Sequence, residues 1–176
     1  MFFPDGEYNL TQTIDLPWRY DHNVNLVLSP NAVLKTEQSL GSILRIGFVD
    51  VDLTFDKSLR RFSYISGGQI DCTNVGVGIE INGLKQLVFI KDVNLFKGKD
   101  KHIYIHCSNH FKGTGSADTK ISDVHIQGLS SNEKNYGIYI AEECMYCKIS
   151  DVFIYGCNTS IYTLSGGHYI TQCHFL

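Results

Sequence analysis

The chain has 176 residues, with 15 basic and 18 acidic side chains for a formal net charge of −3, and 43% hydrophobic and 12% aromatic content. That suits a single globular domain spanning 1–176, and a pI near 6.1 without any Lys/Arg block excludes the electrostatic footprint of a nucleic-acid binder or a polybasic membrane-surface protein. No apolar run approaches the roughly 18 residues of a membrane span, and Met1-Phe2-Phe3-Pro4-Asp5 lacks the basic and apolar regions of a secretory signal peptide.

From Ile65 onward the chain repeats itself. ISGGQIDC from Ile65 is a degenerate first copy, IKDVNLFK from Ile90 a second, ISDVHIQG from Ile121 a third, ISDVFIYG from Ile149 a fourth and ITQCHFL from Ile170 a fifth. The third and fourth copies agree in six of eight positions, and the steps between copies are 25, 31, 28 and 21 residues. A second series interleaves with the first: GIEI from Gly78, HIYI from His102, GIYI from Gly137 and SIYT from Ser160. Apolar residues alternate within each copy, so the local period is 2 and the elements are strands. Units of this length with two or three short strands each predict an all-β parallel β-helix of about six coils, one coil per unit. A β-sandwich also has many short strands, but its hairpins need tight turns, and Asn82-Gly83 is the only Asn-Gly dipeptide. The two long steps predict loop insertions near 108–118 and 129–136, where function usually sits on a rigid stack.

The alignment predicts which side chains face inward. Val93, Val124, Val152 and Cys173 form one column, Leu95, Ile126, Ile154 and Phe175 a second, and Ile65, Ile90, Ile121, Ile149 and Ile170 a third. On the outside, the second series puts Glu80, Tyr104, Tyr139 and Tyr162 in one column, with Asn82 and His106 beside it. Tyrosine offers a flat apolar face and a hydroxyl, which suits sugar stacking, a subunit interface or simple cross-strand cover of the sheet. The outward column of the first series reads Asn94, His125, Phe153 and His174, with Gln127 and Tyr155 two residues on. Six cysteines are too few for a disulfide scaffold. Cys147 aligns with Val88, Thr119 and His168, and Cys173 with Val152, so both read as small core residues rather than metal ligands; Cys72 and Cys107 continue inward alternations too. Gly113-Thr-Gly115 lacks the Lys-Ser/Thr of a phosphate loop, and no motif asks for a cofactor or metal.

The segments FFPDGEYNLTQTIDL, NVNLVLSPNAVLK and FSYISGGQIDC resemble the opening coils of the pectate-lyase-like right-handed β-helix superfamily, which includes polygalacturonases and bacteriophage tail-spike depolymerases. The resemblance covers essentially the whole chain and is one of fold. It implies a right-handed coil, a polysaccharide or cell-surface glycan as ligand, glycoside hydrolase or polysaccharide lyase chemistry where the chain is an enzyme, and, in the tail-spike case, a homotrimer that is virion-associated or extracellular. Relatives of polygalacturonase type carry an Asn-Thr-Asp acid, an Asp-Asp pair and Gly-His-Gly; here Asn158-Thr159 is followed by Ser160, no Asp-Asp pair exists and His168 is followed by Tyr169. The remaining candidates for catalysis are Asp123 and Asp151, adjacent in a column that begins at Asp92, with His125 as base. Stacked coils about 4.8 Å apart would give those carboxylates the spacing of a retaining glycosidase. The same aspartates also fit a bend between strands, where Asp accepts backbone N–H bonds. The alternative class is a non-catalytic structural or receptor-binding β-helix with its tyrosine face at an oligomeric interface.

Overall fold

The structure is a computed structural model that describes residues 1–17, 24–47, 62–82, 87–106, 118–129 and 134–176. Among these residues there are twenty short strands and no helix, so no helix is long and apolar enough to cross a membrane. The first sheet takes β1 (Phe2–Phe3), β4 (Val24–Leu28), β7 (Ser63–Ser66), β10 (Val88–Lys91), β13 (Lys120–Ser122), β16 (Lys148–Ser150) and β19 (Tyr169–Thr171). The second takes β2 (Gly6–Asn9), β5 (Ala32–Lys35), β8 (Gln69–Asp71), β11 (Asn94–Gly98), β14 (His125–Gly128), β17 (Phe153–Tyr155) and β20 (His174–Phe175). The third holds β3 (Ile14–Pro17), β6 (Leu40–Gly47), β9 (Val75–Asn82), β12 (Lys101–His106), β15 (Tyr136–Ile140) and β18 (Thr159–Thr163). Each strand pairs in parallel with the strand three later, which is the arrangement of a parallel β-solenoid: six three-strand coils and two strands of a seventh. Parallel pairing throughout rules out the antiparallel sandwich.

The predicted columns are in register. Leu26, Ile65, Ile90, Ile121, Ile149 and Ile170 pair in sequence across the first sheet. Leu34, Ile70, Leu95, Ile126, Ile154 and Phe175 do so across the second. On the third sheet, Leu44, Ile79, Ile103, Ile138 and Ile161 form another column. In the remaining predicted column Val93, Val124 and Val152 are fully buried, and Cys173 in the last coil is partly buried. Burying one such side chain is worth about 1.5–3 kcal/mol, and every coil contributes several. Ile170 and Phe175 are 44% and 46% exposed because, in the described chain, no coil stacks on them.

Between the first and second sheets the chain turns on one residue in the left-handed region. Asp92, Asp123, Asp151 and Gln172 occupy this position in successive coils, with φ of 57°, 54°, 55° and 53°. Asp tolerates this conformation better than bulkier residues do. In the coil before them, Gly67 and Gly68 make the turn at φ 76° and 69°, and a Cβ on Gly67 would strike the Leu28 carbonyl. Between the second and third sheets the corner is filled from inside by polar side chains. The Thr36 hydroxyl donates to Leu10 O, and the Asn74 amide donates to Thr36 O. One coil on, His102 Nδ1 lies 3.0 Å from Tyr136 O, and its Nε2 lies between Gly98 N–H at 3.1 Å and Gln127 O at 3.0 Å. The neutral ring with its proton on Nδ1 donates to Tyr136 O and accepts Gly98 N–H, and the charged ring would donate to both carbonyls. Asn135 fills the next coil and donates to the carbonyls of Leu129 and Gly156.

Of the first predicted insertion, 108–117 lies outside the described residues, as does Cys107. Of the second, 130–133 lies outside; Asn135 is fully buried and Tyr136 is already the first residue of β15.

Candidate functional site

The outer face of the third sheet is built on one in-register column, Asp15, Arg45, Glu80, Tyr104, Tyr139 and Tyr162. It is polar at one end and aromatic at the other. Arg45 holds Asp15 with two bonds, Nε to Oδ1 at 2.6 Å and Nη2 to Oδ2 at 3.0 Å. The Glu80 carboxylate receives the Ser42 hydroxyl and His106 Nε2, both at 2.9 Å. Burial pushes the Glu80 carboxyl up, but those two bonds, with the charges of His106 and Arg45, outweigh it and hold the group below its ordinary value.

His106 lies flat on Tyr104, ring centroids 4.1 Å apart and planes within 10°, so Glu80, His106 and Tyr104 form one connected unit. The tyrosines continue from it. Tyr139 meets Tyr104 edge to face at 5.4 Å and Tyr136 edge to face at 5.1 Å, and it lies 4.9 Å from Tyr162. The Lys101 ammonium sits 5.2 Å from the Tyr104 ring and 5.4 Å from that of Tyr139, a cation–π position over both. Burial, reinforced by neighbouring acidic groups, raises the Tyr104 phenol above its ordinary value, so it stays a neutral donor. This face offers aromatic edges, phenol hydroxyls and an oriented carboxylate–imidazole pair.

The candidate catalytic residues lie elsewhere. His125 opens β14 on the outer face of the second sheet, and Asp151 stands at the neighbouring corner. Both line a concavity of about 750 Å³ together with Phe153, Tyr155, Gln172 and His174. Asp123 is not part of that lining. Its carboxylate lies 3.9 Å from Lys91, which also reaches Asp92 at 3.8 Å. The backbone N–H groups of Asp92 and Asp151 bond the carbonyls of Ser122 and Thr171 at 3.3 Å, which ties one corner to the next. The sequence-derived residues therefore divide between two faces: His125 and Asp151 on one, Glu80, Tyr104, Tyr139 and Tyr162 on the other.

Of the cysteines read as core, Cys72 and Cys147 are buried and Cys173 only partly so, because it sits in the last coil; Cys144, not read as core from the sequence, is buried too. Cys72, Cys144 and Cys147 are 0–1% exposed, and burial pushes the Cys147 thiol up to about 12. Among the described residues no group of three or more His, Cys, Asp or Glu is placed to hold a metal ion. Ser165 and His168 approach to 3.1 Å, but His168 Nδ1 accepts Cys147 N–H, so the proton sits on the nitrogen facing the hydroxyl. Neutral His168 cannot take the serine proton in that tautomer, and the pair is not an activated nucleophile.

Arg45, Ser42, Lys101 and Tyr136 complete the third-sheet face and were not singled out from sequence. A signal for the first was present: Ile14-Asp15-Leu16, Leu44-Arg45-Ile46 and Ile79-Glu80-Ile81 share one apolar–polar–apolar pattern, and extending the GIEI series backwards by two copies places Asp15 and Arg45 beneath Glu80. Compared with known proteins, the chain matches no family model, no curated protein and no solved structure.

Proposed function

We propose that the chain is a polysaccharide-recognising β-helix of the right-handed, pectate-lyase-like kind, and that the third-sheet face is where it meets the glycan. The observation that carries this reading is the continuous column in which Tyr104, Tyr139 and Tyr162 run into the Glu80–His106 pair. Tyrosines one coil apart present an aromatic surface at a step of about 4.8 Å, and the oriented carboxylate accepts hydroxyl hydrogen bonds at its end. Right-handedness rests on the general rule for parallel crossovers and on the sequence resemblance of the opening segments. The partner in this reading is a polysaccharide or cell-surface glycan, and the setting is extracellular or virion-associated.

The test is a mixed glycan array followed by titration of the best ligand. Tyr139→Ala, which removes a ring in contact with three other tyrosines, is expected to weaken binding at least tenfold. Equal affinity of Tyr139→Ala and the unaltered chain overturns the reading.

A second reading is a non-catalytic element whose tyrosine face packs against other copies of the chain, as in a homotrimer. It is favoured by the exposed apolar groups at the end of this face, Tyr162 and Leu164, 38% and 47% exposed. Light scattering separates the two: an oligomer that Tyr162→Lys dissociates supports the interface, and a monomer that binds glycan removes it.

A further inference from the structure

We infer that the outer face of the second sheet is a second, separate binding site, and that it takes a neutral oligosaccharide lying along the solenoid axis. Two concavities of about 380 and 750 Å³ adjoin there and share His125 and Tyr155, so they form one groove. Each volume lies in the range of ligand pockets. The groove begins at Gln69 in the third coil and ends at His174 in the seventh, four steps of about 4.8 Å or roughly 19 Å in all. Its occupant is therefore elongated, about four sugar residues at one per coil step.

The chemistry of the lining selects the class. Phe153 lines the groove and meets His125, Tyr155 and His174 at 5.9, 5.4 and 6.3 Å with planes tilted by 46°, 53° and 39°, so none of these three rings lies flat against it. Phe89 on the first sheet shows the opposite arrangement, stacked at 4.7 Å and 11° against Tyr64 and capped by Lys120. A ring with no other ring stacked on it is a platform for a sugar ring. Around it the amides of Gln69, Asn94, Gln127 and Gln172 both donate and accept, as hydroxyls require. Among the described residues no Lys or Arg lines the groove, and the one carboxylate in its lining is that of Asp151. Lys97, over the Phe96 ring, is held 3.3 Å from Asp71. An acidic sugar or a nucleic acid would meet Asp151 without a cation to pair with. An extended peptide is disfavoured because strand addition needs a free sheet edge, and this is a sheet face.

The experiment uses the whole chain and defined probes: neutral gluco-, xylo-, manno- and N-acetylglucosamine oligosaccharides of one to six residues, the corresponding uronate oligosaccharides, and a random peptide library. Retention of a neutral oligosaccharide is expected, with affinity rising up to about four residues, one per coil step. Phe153→Ala and Phe153→Leu are expected to lose at least tenfold, Phe153→Trp to retain binding, and Tyr64→Ala, on the outer face of the first sheet, to change it less than twofold. Unchanged thermal midpoints show that the Phe153 variants fold. Loss on Tyr139→Ala but not on Phe153→Ala overturns the groove while leaving the third-sheet reading intact; the reverse pattern supports the groove and removes that reading for this ligand. Preference for uronates, retention of peptides alone, or no retained oligosaccharide each overturn the proposal.

Discussion

On the third sheet the aromatic rings are turned toward their neighbours: Tyr139 against three tyrosines, Tyr104 under His106 and Lys101, Glu80 held by His106 and Ser42. On the second sheet Phe153 and Tyr155 stand beside amides and imidazoles and line open volume. The two faces share one core, one strand spacing and one in-register repeat, so the difference comes from outward side chains alone. A solenoid thus decouples its faces. Exchanging an outward residue on one sheet leaves the columns beneath and the other faces unchanged, whereas an inward residue is common to all of them.

The strongest way to break that comparison is from inside. Val124 is fully buried between Val93 and Val152, and Val124→Asp places an unpaired carboxylate there at a cost of several kcal/mol. Both faces are expected to be lost together, seen as a collapse of the urea midpoint and of glycan binding at once. A soluble, folded Val124→Asp chain with one face still active would refute the shared-core account.

A smaller, graded perturbation of the same core is acid. Burial lowers the His102 imidazole below its ordinary value near 6.5, against the carbonyls of Tyr136 and Gln127, which favour its charged form. The unfolded chain therefore binds a proton that the folded chain does not between the folded and unfolded pKa values. Stability is complete above the unfolded value and falls as pH drops through about 6.5, by up to about 1.4 kcal/mol per pH unit for this group. Urea melts at pH 7.5 and 5.5 should show this slope, reduced in His102→Asn; an unreduced slope assigns it to other groups.

The corner between the first and second sheets borders the second-sheet face, and it tests whether its aspartates serve the fold or chemistry. With Asp123 at φ 54°, Asp123→Val should cost about 1–2 kcal/mol, because a β-branched residue resists the left-handed region, while Asp123→Asn should be nearly neutral. The double variant Asp123→Asn, Asp151→Asn keeps the turn and removes both carboxylates. Where the unaltered chain releases reducing ends from a glycan, this variant is expected to lose about 100-fold in rate, the scale of an acid–base group. Undiminished cleavage would leave these residues the turn role alone.

The smallest expected effect sharpens the third face. Glu80→Gln removes the charge bonded to His106 and Ser42, and a partly exposed pair of this kind contributes about 0.5–1 kcal/mol. Because the Glu80 carboxyl is held below its ordinary value, its contribution is present above that value and is lost as pH falls through the folded one. The difference in midpoint between Glu80→Gln and the unaltered chain should therefore shrink in acid.

Strand positions and register from Ile65 to Phe175 were legible in the sequence, because a stack of parallel coils repeats the same inward positions and so writes the core as an alignable pattern. The three inward columns, the buried places of Cys72 and Cys147, and the tyrosine column follow from that reading. The earlier coils were less legible: β3 and β6 carry Asp15 and Arg45 in the place of Glu80, and without a repeated motif their register was not drawn.

The sequence by itself determined the period, the strands and which side chains point in or out, since alternation and repeat length are local properties of the chain. Only the tertiary structure decided which outward residues meet. His106 reaches back to Glu80 across 26 residues, the His102 ring nitrogens meet the carbonyls of Gln127 and Tyr136, and His125 shares a groove with His174 but not with Tyr104. These outcomes depend on which of three sheets each strand joins and on how the corners turn, and so on the packing of whole coils rather than on any local pattern.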